Sequence, residues 1–483
     1  VLAALRSPRL LTREVLAGLV VALALIPEAI SFSIIAGVDP RVGLFSSFIM
    51  AVVIAIVGGR PAMISAATGA VALVIAPVMR EYGWDYFLAT VILGGLIQLA
   101  LGLLGVAKLL RFIPRSVMVG FVNALAILVF LAQLPHLIDV PFAVYPLVAI
   151  GIGVLVLLPR LTSVVPAPLV TIVLLTGAVL VLGLGVPNVG DQGELPRTLP
   201  EFFLPQVPLT LETLSIVAPY ALGMALVGLL ESLMTAKLVD DITDTGSNKT
   251  RESLGQGTAN VVSGLFGGMG GCAMIGQTMI NVKSSGARTR ISTFLSGVFL
   301  LILVVALGDV VALIPMAALV AVMIMVCVAT FDWHSVRPAT LKRMPLGETV
   351  VMVATVAVVV TTHNLAIGVL VGVVAAMVVF ARRVAHLTSV TRVMDGDTAR
   401  YSVDGALFFA SSNDLTHQFS YAADPKRVEI DLSRSHVWDA STVAALDAIT
   451  QRYERLGKHV TVTGMNEASS SFHGRLAGRL GGE

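Results

Sequence analysis

The chain has 483 residues, of which 56% are hydrophobic and only 13% charged, with a formal net charge of +2 and a mean hydropathy of +0.90. Soluble proteins of this size carry about 25% charged residues, so composition excludes an ordinary soluble chain. Cys272 and Cys327, its only cysteines, sit in apolar surroundings, and no disulfide framework is expected. The chain begins at Val1 rather than methionine, which points to further sequence ahead of it, and shows no cleavable signal peptide.

Long apolar runs recur at residues 15–26, 87–106, 116–134, 169–184, 295–307 and 310–328. The longest reach the roughly 20 residues that span a hydrocarbon core. They are continuous rather than alternating, so they predict membrane helices, about fourteen of them, and not a barrel. Most basic residues, from Arg6, Arg9 and Arg13 through Lys108 and Arg111 to Arg382 and Arg383, then fall on one face of the membrane. Only Arg41, Arg80 and Arg197 fall on the other. The positive-inside rule makes the first face cytoplasmic and places both termini there.

Two acids break this pattern. Glu28 and Glu231 each interrupt an apolar stretch, where a carboxylate costs roughly 2.5–3.5 kcal/mol on insertion scales. They occupy matching places in a duplicated order: acid, Gly-Gly, Ala-Met-Ile, Ile-Pro. Gly58-Gly59 and Ala62-Met63-Ile64 lead to Thr68 and later Ile113-Pro114; Gly267-Gly268 and Ala273-Met274-Ile275 lead to Thr278 and later Ile314-Pro315. Repeats of about residues 10–187 and 211–383, with seven spans each, would insert with opposite topology. Such inverted repeats build a midplane substrate site from broken helices. The Gly/Pro-rich runs 58–70 and 267–276 suit those breaks. A helix starting beyond each, near 67–69 and 275–277, would turn its N-terminus towards an anion.

After Arg383 the composition changes. Residues 384–395 read as a connector and 396–483 as a soluble α/β domain, with strands at 401–409, 428–432 and 459–462 and a helix at 441–456.

Specific motifs now accumulate. They include Leu25-Ile26-Pro27-Glu28-Ala29-Ile30-Ser31-Phe32, Ala36-Gly37-Val38-Asp39-Pro40, Gly43-Leu44-Phe45-Ser46-Ser47, Phe112-Ile113-Pro114 with Gly120-Phe121, and Asn281-Val282-Lys283-Ser284 before Arg288-Thr289-Arg290. On these the chain resembles the sulfate permease (SulP) family of anion transporters. Its C-terminal part resembles a STAS domain through residues 403–409, 430–433 and Asp439-Ala440-Ser441. The resemblance implies a seven-plus-seven inverted repeat divided into core and gate, working as a homodimer. It implies an anion site at Phe32, Thr68, Gly69, Ile275, Gly276 and Gln277. Two departures stand out: many relatives have glutamine in place of Glu28, and a cationic or hydroxyl side chain in place of Gly276-Gln277.

An added acid without a fixed arginine calls for a positive companion to the substrate. Burial favours the neutral carboxyl, and so does a neighbouring anion, so proton and anion would assist each other's binding at Glu28. Glu231, with Thr235 one turn away on the same face, resembles the sodium-ligating acid of some relatives and reads as a proton site, a sodium site or a structural acid. Asn123 reads as interhelical glue, while His136 and His363 read as solvated at outer helix ends. Ser441, beside Asp439, occupies the place phosphorylated in related regulatory STAS proteins, where a new dianion could switch an interface. No nucleotide loop, metal cluster or nucleophile–base pair is present, so neither enzymatic chemistry, a cofactor nor a nucleic-acid partner is expected.

The sequence therefore predicts an inner-membrane secondary transporter, proton-coupled and carrying a small anion: a dicarboxylate such as fumarate or succinate, or sulfate or bicarbonate. Cytoplasmic proteins are further partners through STAS. The rival readings are an uncoupled channel or exchanger on the same fold, a nucleobase carrier of the related fold, which would lack the STAS unit, and a membrane sensor signalling through STAS.

Overall fold

The computed structural model describes residues 7–105, 113–161, 166–196, 198–385 and 388–478. Expectations resting on Arg6, Lys108, Arg111, Phe112, Arg197 and residues 386–387 lie outside these ranges. The chain divides into two compact units, Val1–Val373 and Val374–Glu483.

The first unit is helical. In chain order it contains α1 (Pro8–Ala36), α2 (Pro40–Val57), strand β1 (Ser65–Ala66), α3 (Gly69–Tyr82), α4 (Trp84–Leu103), α5 (Arg115–Leu131), α6 (Val144–Leu161) and α7 (Ala167–Leu182). The second half follows with α8 (Leu211–Thr243), α9 (Lys249–Leu265), β2 (Cys272–Ala273), α10 (Ile275–Met279), α11 (Arg290–Ala312), α12 (Met316–Thr330), α13 (Leu346–Thr362) and α14 (Leu365–Ala385). A π-helical turn, Ile280–Ser284, extends α10, and a short helix, Pro338–Arg343, precedes α13. Eight helices among the described residues are long and apolar enough to cross a membrane, while α7, α12 and α13 are shorter apolar helices.

Local chemistry explains the ends. Proline occupies the first position of α1 and of α2, where no N–H partner is needed. Gly37 closes α1 in the left-handed region at φ 76°, its N–H reaching the Ile34 carbonyl. Packing then separates the helices into two groups. Helices α1–α4 and α8–α11 interlock extensively, whereas α5, α6 and α7 pack on α12, and α5 on α13; between the groups contact is thin. Glycines bring α4 and α9 to backbone distance: a Cβ on Gly95 would lie 2.7 Å from the Val261 nitrogen, and one on Gly257 2.7 Å from the Gly95 carbonyl oxygen.

Where the chain leaves helical geometry between α2 and α3, and again between α9 and α10, buried backbone groups find partners elsewhere. Glu252 accepts from the Gly59 and Arg60 amides at 2.8 and 3.0 Å, and Arg290 donates to the Ala55 and Gly58 carbonyls at 3.1 and 2.5 Å. Arg60, in the first Gly/Pro-rich run, is buried and ion-paired with Asp240 at 3.0 Å. The two breaks cross as a short antiparallel ladder that pairs Ser65 with Ala273 and Ala66 with Cys272. A Cβ on Gly271 would stand 1.9 Å from the Ala66 carbonyl oxygen, so only glycine permits the crossing. The two Ala-Met-Ile copies, aligned in the sequence, are out of structural register here. The first precedes β1, while the second begins in β2 and ends on the first residue of α10.

The second unit is a four-stranded sheet in the order β3-β4-β5-β6, formed by Ser389–Asp395, Thr398–Leu407, Arg427–Val437 and His459–Thr463. β3–β4 is antiparallel and the other two pairs are parallel. Helices α15 (Phe409–Leu415), α16 (Ala440–Arg455) and α17 (Glu467–Leu476) complete it. β3 occupies residues expected as connector. The expectation fails there because the strand is an edge with mostly exposed side chains, so its apolar alternation is faint.

Asp424 pins this unit internally. Its side chain is fully buried, accepts from the Tyr401 and Tyr453 hydroxyls at 2.6 and 2.5 Å, and pairs with Arg392 at 2.7 Å. Burial and this carboxylate hold the Tyr453 phenol far above its usual range. Asp424→Ala removes the acceptor shared by two buried phenols, a loss of about 3 kcal/mol. Hydrogen exchange on the full chain should then accelerate throughout β4 and α16, with the membrane helices unchanged.

Candidate functional site

A cavity of about 440 Å³ lies where the two helix groups meet. One wall carries Glu28 and Phe32 from α1, Thr68 and Gly69 at the start of α3, Glu231 and Met234 from α8, and Met274, Ile275, Gly276 and Gln277 at the start of α10. Phe121, Val122, Leu125 and Val129 of α5 face it, with Val326, Cys327 and Thr330 of α12. Among the described residues, no lysine, arginine or histidine lines this space.

Each wall position has a local cause. Thr68 is the N-cap of α3, its hydroxyl oxygen accepting from the Val71 amide at 3.4 Å. Gly69 leaves room for Phe32, since a Cβ there would come within 2.9 Å of the ring. Gly276 meets nothing within 4 Å and opens on the cavity. Gln277 lies beside the Glu28 carboxyl on the cavity lining, bringing the two halves of the chain together.

The structure thus brings together Phe32, Thr68, Gly69, Ile275, Gly276, Gln277, Glu28 and Glu231. It does not bring in Thr235. That hydroxyl donates to the Glu231 backbone carbonyl at 2.8 Å and stays buried away from the cavity. Helical spacing put the two side chains on one face, but a threonine in a helix readily satisfies itself four residues back.

Among the described residues of this unit four carboxyls are buried, and their partners divide them. Glu14 accepts from the Arg288 amide at 2.8 Å, the Thr289 amide at 3.2 Å and the Ser292 amide at 3.3 Å, capping α11. Glu252 likewise caps the first break. Both are spent on backbone amides. Glu231 accepts from the Cys272 thiol, Glu28 lies beside Gln277, and both acids face the cavity.

Cys272 is the residue that sequence reasoning passed over, because a cysteine among apolar residues reads as a small hydrophobe. It is fully buried in the crossing, donates to Glu231 Oε2 at 3.0 Å and lies 3.1 Å from Thr68 Oγ1. Its place inside the Gly-rich break was the available signal. Cys327, likewise passed over, lines the opposite wall. Asn123 bonds the segment after α12, through Ser335 and the Asp332 amide, rather than a neighbouring helix. His363 is exposed at the end of α13, while His136 is half-buried after α5. In the second unit, Asp439 is the N-cap of α16, accepting from the Thr442 amide at 3.0 Å, and Ser441 is exposed beside it.

Crossed, broken helices meeting at a cavity inside a helical membrane unit are the architecture of a secondary transporter. The sequence matches the sulfate permease family over residues 11–150 and 147–355, and the STAS domain over residues 390–471. The chain belongs to the sulfate permease family. It is 50% identical over 465 residues to the putative sulfate transporter YbaR of Bacillus subtilis, covering 96% of this chain and 97% of that protein. The bicarbonate transporter BicA of Picosynechococcus is 27% identical, with 80% of this chain and 73% of that protein aligned. Among solved structures, the transmembrane domain of a cyanobacterial BicA superposes with TM-score 0.66 at 27% identity, covering 76% of this chain and 97% of that one. The murine Slc26a9 anion transporter in its inward-facing state gives TM-score 0.82 at 17% identity, over 96% and 87% of the chains, a likeness of fold alone.

Proposed function

We propose that the protein is a proton-coupled symporter that carries a small anion inward, moving one helix group against the other. The observation that carries this reading is the pairing of two buried carboxyls, Glu28 and Glu231, in a cavity whose described lining holds no fixed cation. An anion entering such a space meets repulsion unless the acids are neutral, so proton and substrate enter together. Thr68, Gln277 and the amides at the start of α3 supply donors; Phe32, Phe121 and Val129 supply apolar wall.

That wall favours a substrate with a carbon skeleton, a dicarboxylate such as fumarate or succinate. The names of the relatives make sulfate and bicarbonate its competitors. A proton is favoured over sodium at Glu231, because the Thr235 hydroxyl is spent on the Glu231 backbone carbonyl and does not line the cavity. The same reading makes the protein a homodimer of the bacterial inner membrane with cytoplasmic termini. STAS is then an interaction surface, and Asp439 and Ser441 its regulatory corner.

Uptake of labelled fumarate, succinate, sulfate and bicarbonate into proteoliposomes, with and without an inward proton gradient, tests it. Acceleration of one of these by the gradient is expected. Equal uptake with and without it would exclude symport and leave an uncoupled carrier or channel.

A further inference from the structure

Three groups form a chain at the crossing of the two breaks: the Thr68 hydroxyl, the Cys272 thiol and the Glu231 carboxyl. The sulfur lies 3.1 Å from Thr68 Oγ1 and 3.0 Å from Glu231 Oε2. Thr68 and Glu231 line the cavity, whereas Cys272 is shut away from it and from solvent. The backbone fixes the sulfur in place. Cys272 pairs with Ala66 across the ladder, the Ala273 amide donates to Ser232 Oγ at 3.0 Å, and the Gly271 amide donates to Asn260 Oδ1 at 2.7 Å.

A thiol has one hydrogen, and that fact sets a direction. While Glu231 is ionised it can only accept, so Cys272 donates to it and the sulfur accepts the Thr68 hydroxyl hydrogen. Once Glu231 is protonated, its O–H can donate to sulfur. Cys272 then turns its hydrogen to Thr68 Oγ1, and the Thr68 hydrogen is released towards the cavity. We propose that Cys272 is a positioning residue through which protonation of Glu231 re-aims the Thr68 hydroxyl at the anion. No covalent bond changes beyond the arrival of the proton on Glu231, and only hydrogen-bond direction reverses. The inference rests on the proposed proton coupling and adds to it a physical route between the two ligands. The titratable groups on the cavity lining beside this chain are Glu28 of α1, on the same wall, and Cys327 of α12, on the opposite one.

Two measurements test the relay. In proteoliposomes, the KM for the anion in the unaltered protein should fall as pH is lowered. In Cys272→Ala no sulfur holds the Thr68 hydrogen away from the cavity at high pH, so that pH dependence should flatten, with the high-pH KM lowered by up to about tenfold towards the low-pH value. Cys272→Ser, which keeps one donor and an acceptor, should restore the slope. A Cys272→Ala protein that transports with the original pH dependence would overturn the relay while leaving proton coupling intact. A pH-independent KM in the unaltered protein would remove both.

The second measurement does not need transport. In a Cys327→Ala background Cys272 is the only thiol, and its S–H stretching band reports its hydrogen bond. The band should shift between high and low pH, and Glu231→Gln should abolish the shift. A band that ignores both would equally overturn the relay.

Discussion

Replacing Glu28 by glutamine is expected to reduce proton-driven uptake to background while substrate exchange across the same membrane persists. Glutamine has the shape of the protonated acid and can still meet the Gln277 amide, so helix packing around position 28 should survive. The residue is 8% exposed and opens on a cavity whose described lining holds no fixed cation, so under the proposed coupling a proton is what neutralises it. A permanently neutral residue there admits the anion but cannot return a proton to the other side. Net uptake requires that return; exchange of one anion for another does not. Counterflow of unlabelled against labelled anion, compared with gradient-driven uptake in the same vesicles, separates the two. Gradient-driven uptake surviving at its original rate would show that Glu28 is structural.

A second large effect comes from two glycines five residues apart that should behave oppositely. At Gly271 an added methyl would stand 1.9 Å from the Ala66 oxygen and 2.6 Å from its carbonyl carbon, and backbone cannot yield as a side chain does. Gly271→Ala should cost more than the 1–3 kcal/mol of ordinary overpacking, roughly 5 °C or more in Tm, and should halt transport by parting β1 from β2. At Gly276 the same methyl meets nothing within 4 Å. Gly276→Ala should therefore keep its Tm and alter only the KM of the anion. Unfolding curves of the two purified variants decide this: a stable Gly271→Ala beside an unstable Gly276→Ala would contradict the crossing.

Much of this site was legible in the sequence, for a reason that can be named. Glycine and proline runs between apolar segments announce broken helices, and an acid within an apolar run announces a cavity. That suffices to place Glu28, Glu231, Thr68 and Gly276 on a common wall. The signal fails where side chains choose among local partners. Thr235 turned to its own helix, Arg60 turned inward to Asp240, and Glu14 and Glu252 were absorbed by backbone amides far away in the chain. No periodicity encodes such choices. The Ala-Met-Ile repeat misled differently, because identical triplets settled at different distances from their helix starts. The Glu28–Gln277 and Glu231–Cys272 contacts join residues that only the three-dimensional crossing brings together.

The segment between the two repeats is fastened first at its start and at Glu194, and further on by the Phe203 amide to the Leu265 carbonyl and the Gln206 amide to Asp85, each at 2.7 Å. At Pro187 and Val189 it exchanges backbone hydrogen bonds of 2.9 Å with Met316 and Ile314, where α12 begins in one helix group. At Glu194 it meets Arg41 at the head of α2, in the other group, through an ion pair of 2.6 Å and a backbone bond of 3.1 Å. Any motion that draws those helix heads apart must unfasten one of these two attachments. The Arg41–Glu194 pair is half in water, and exposed pairs are worth about 0–1 kcal/mol and weaken with salt. Val189, fully buried, is the firmer mooring. Of the two attachments nearest the start of this segment, the charged one is therefore the weaker in salt, and any separation of those helix heads is expected to become easier as ionic strength rises.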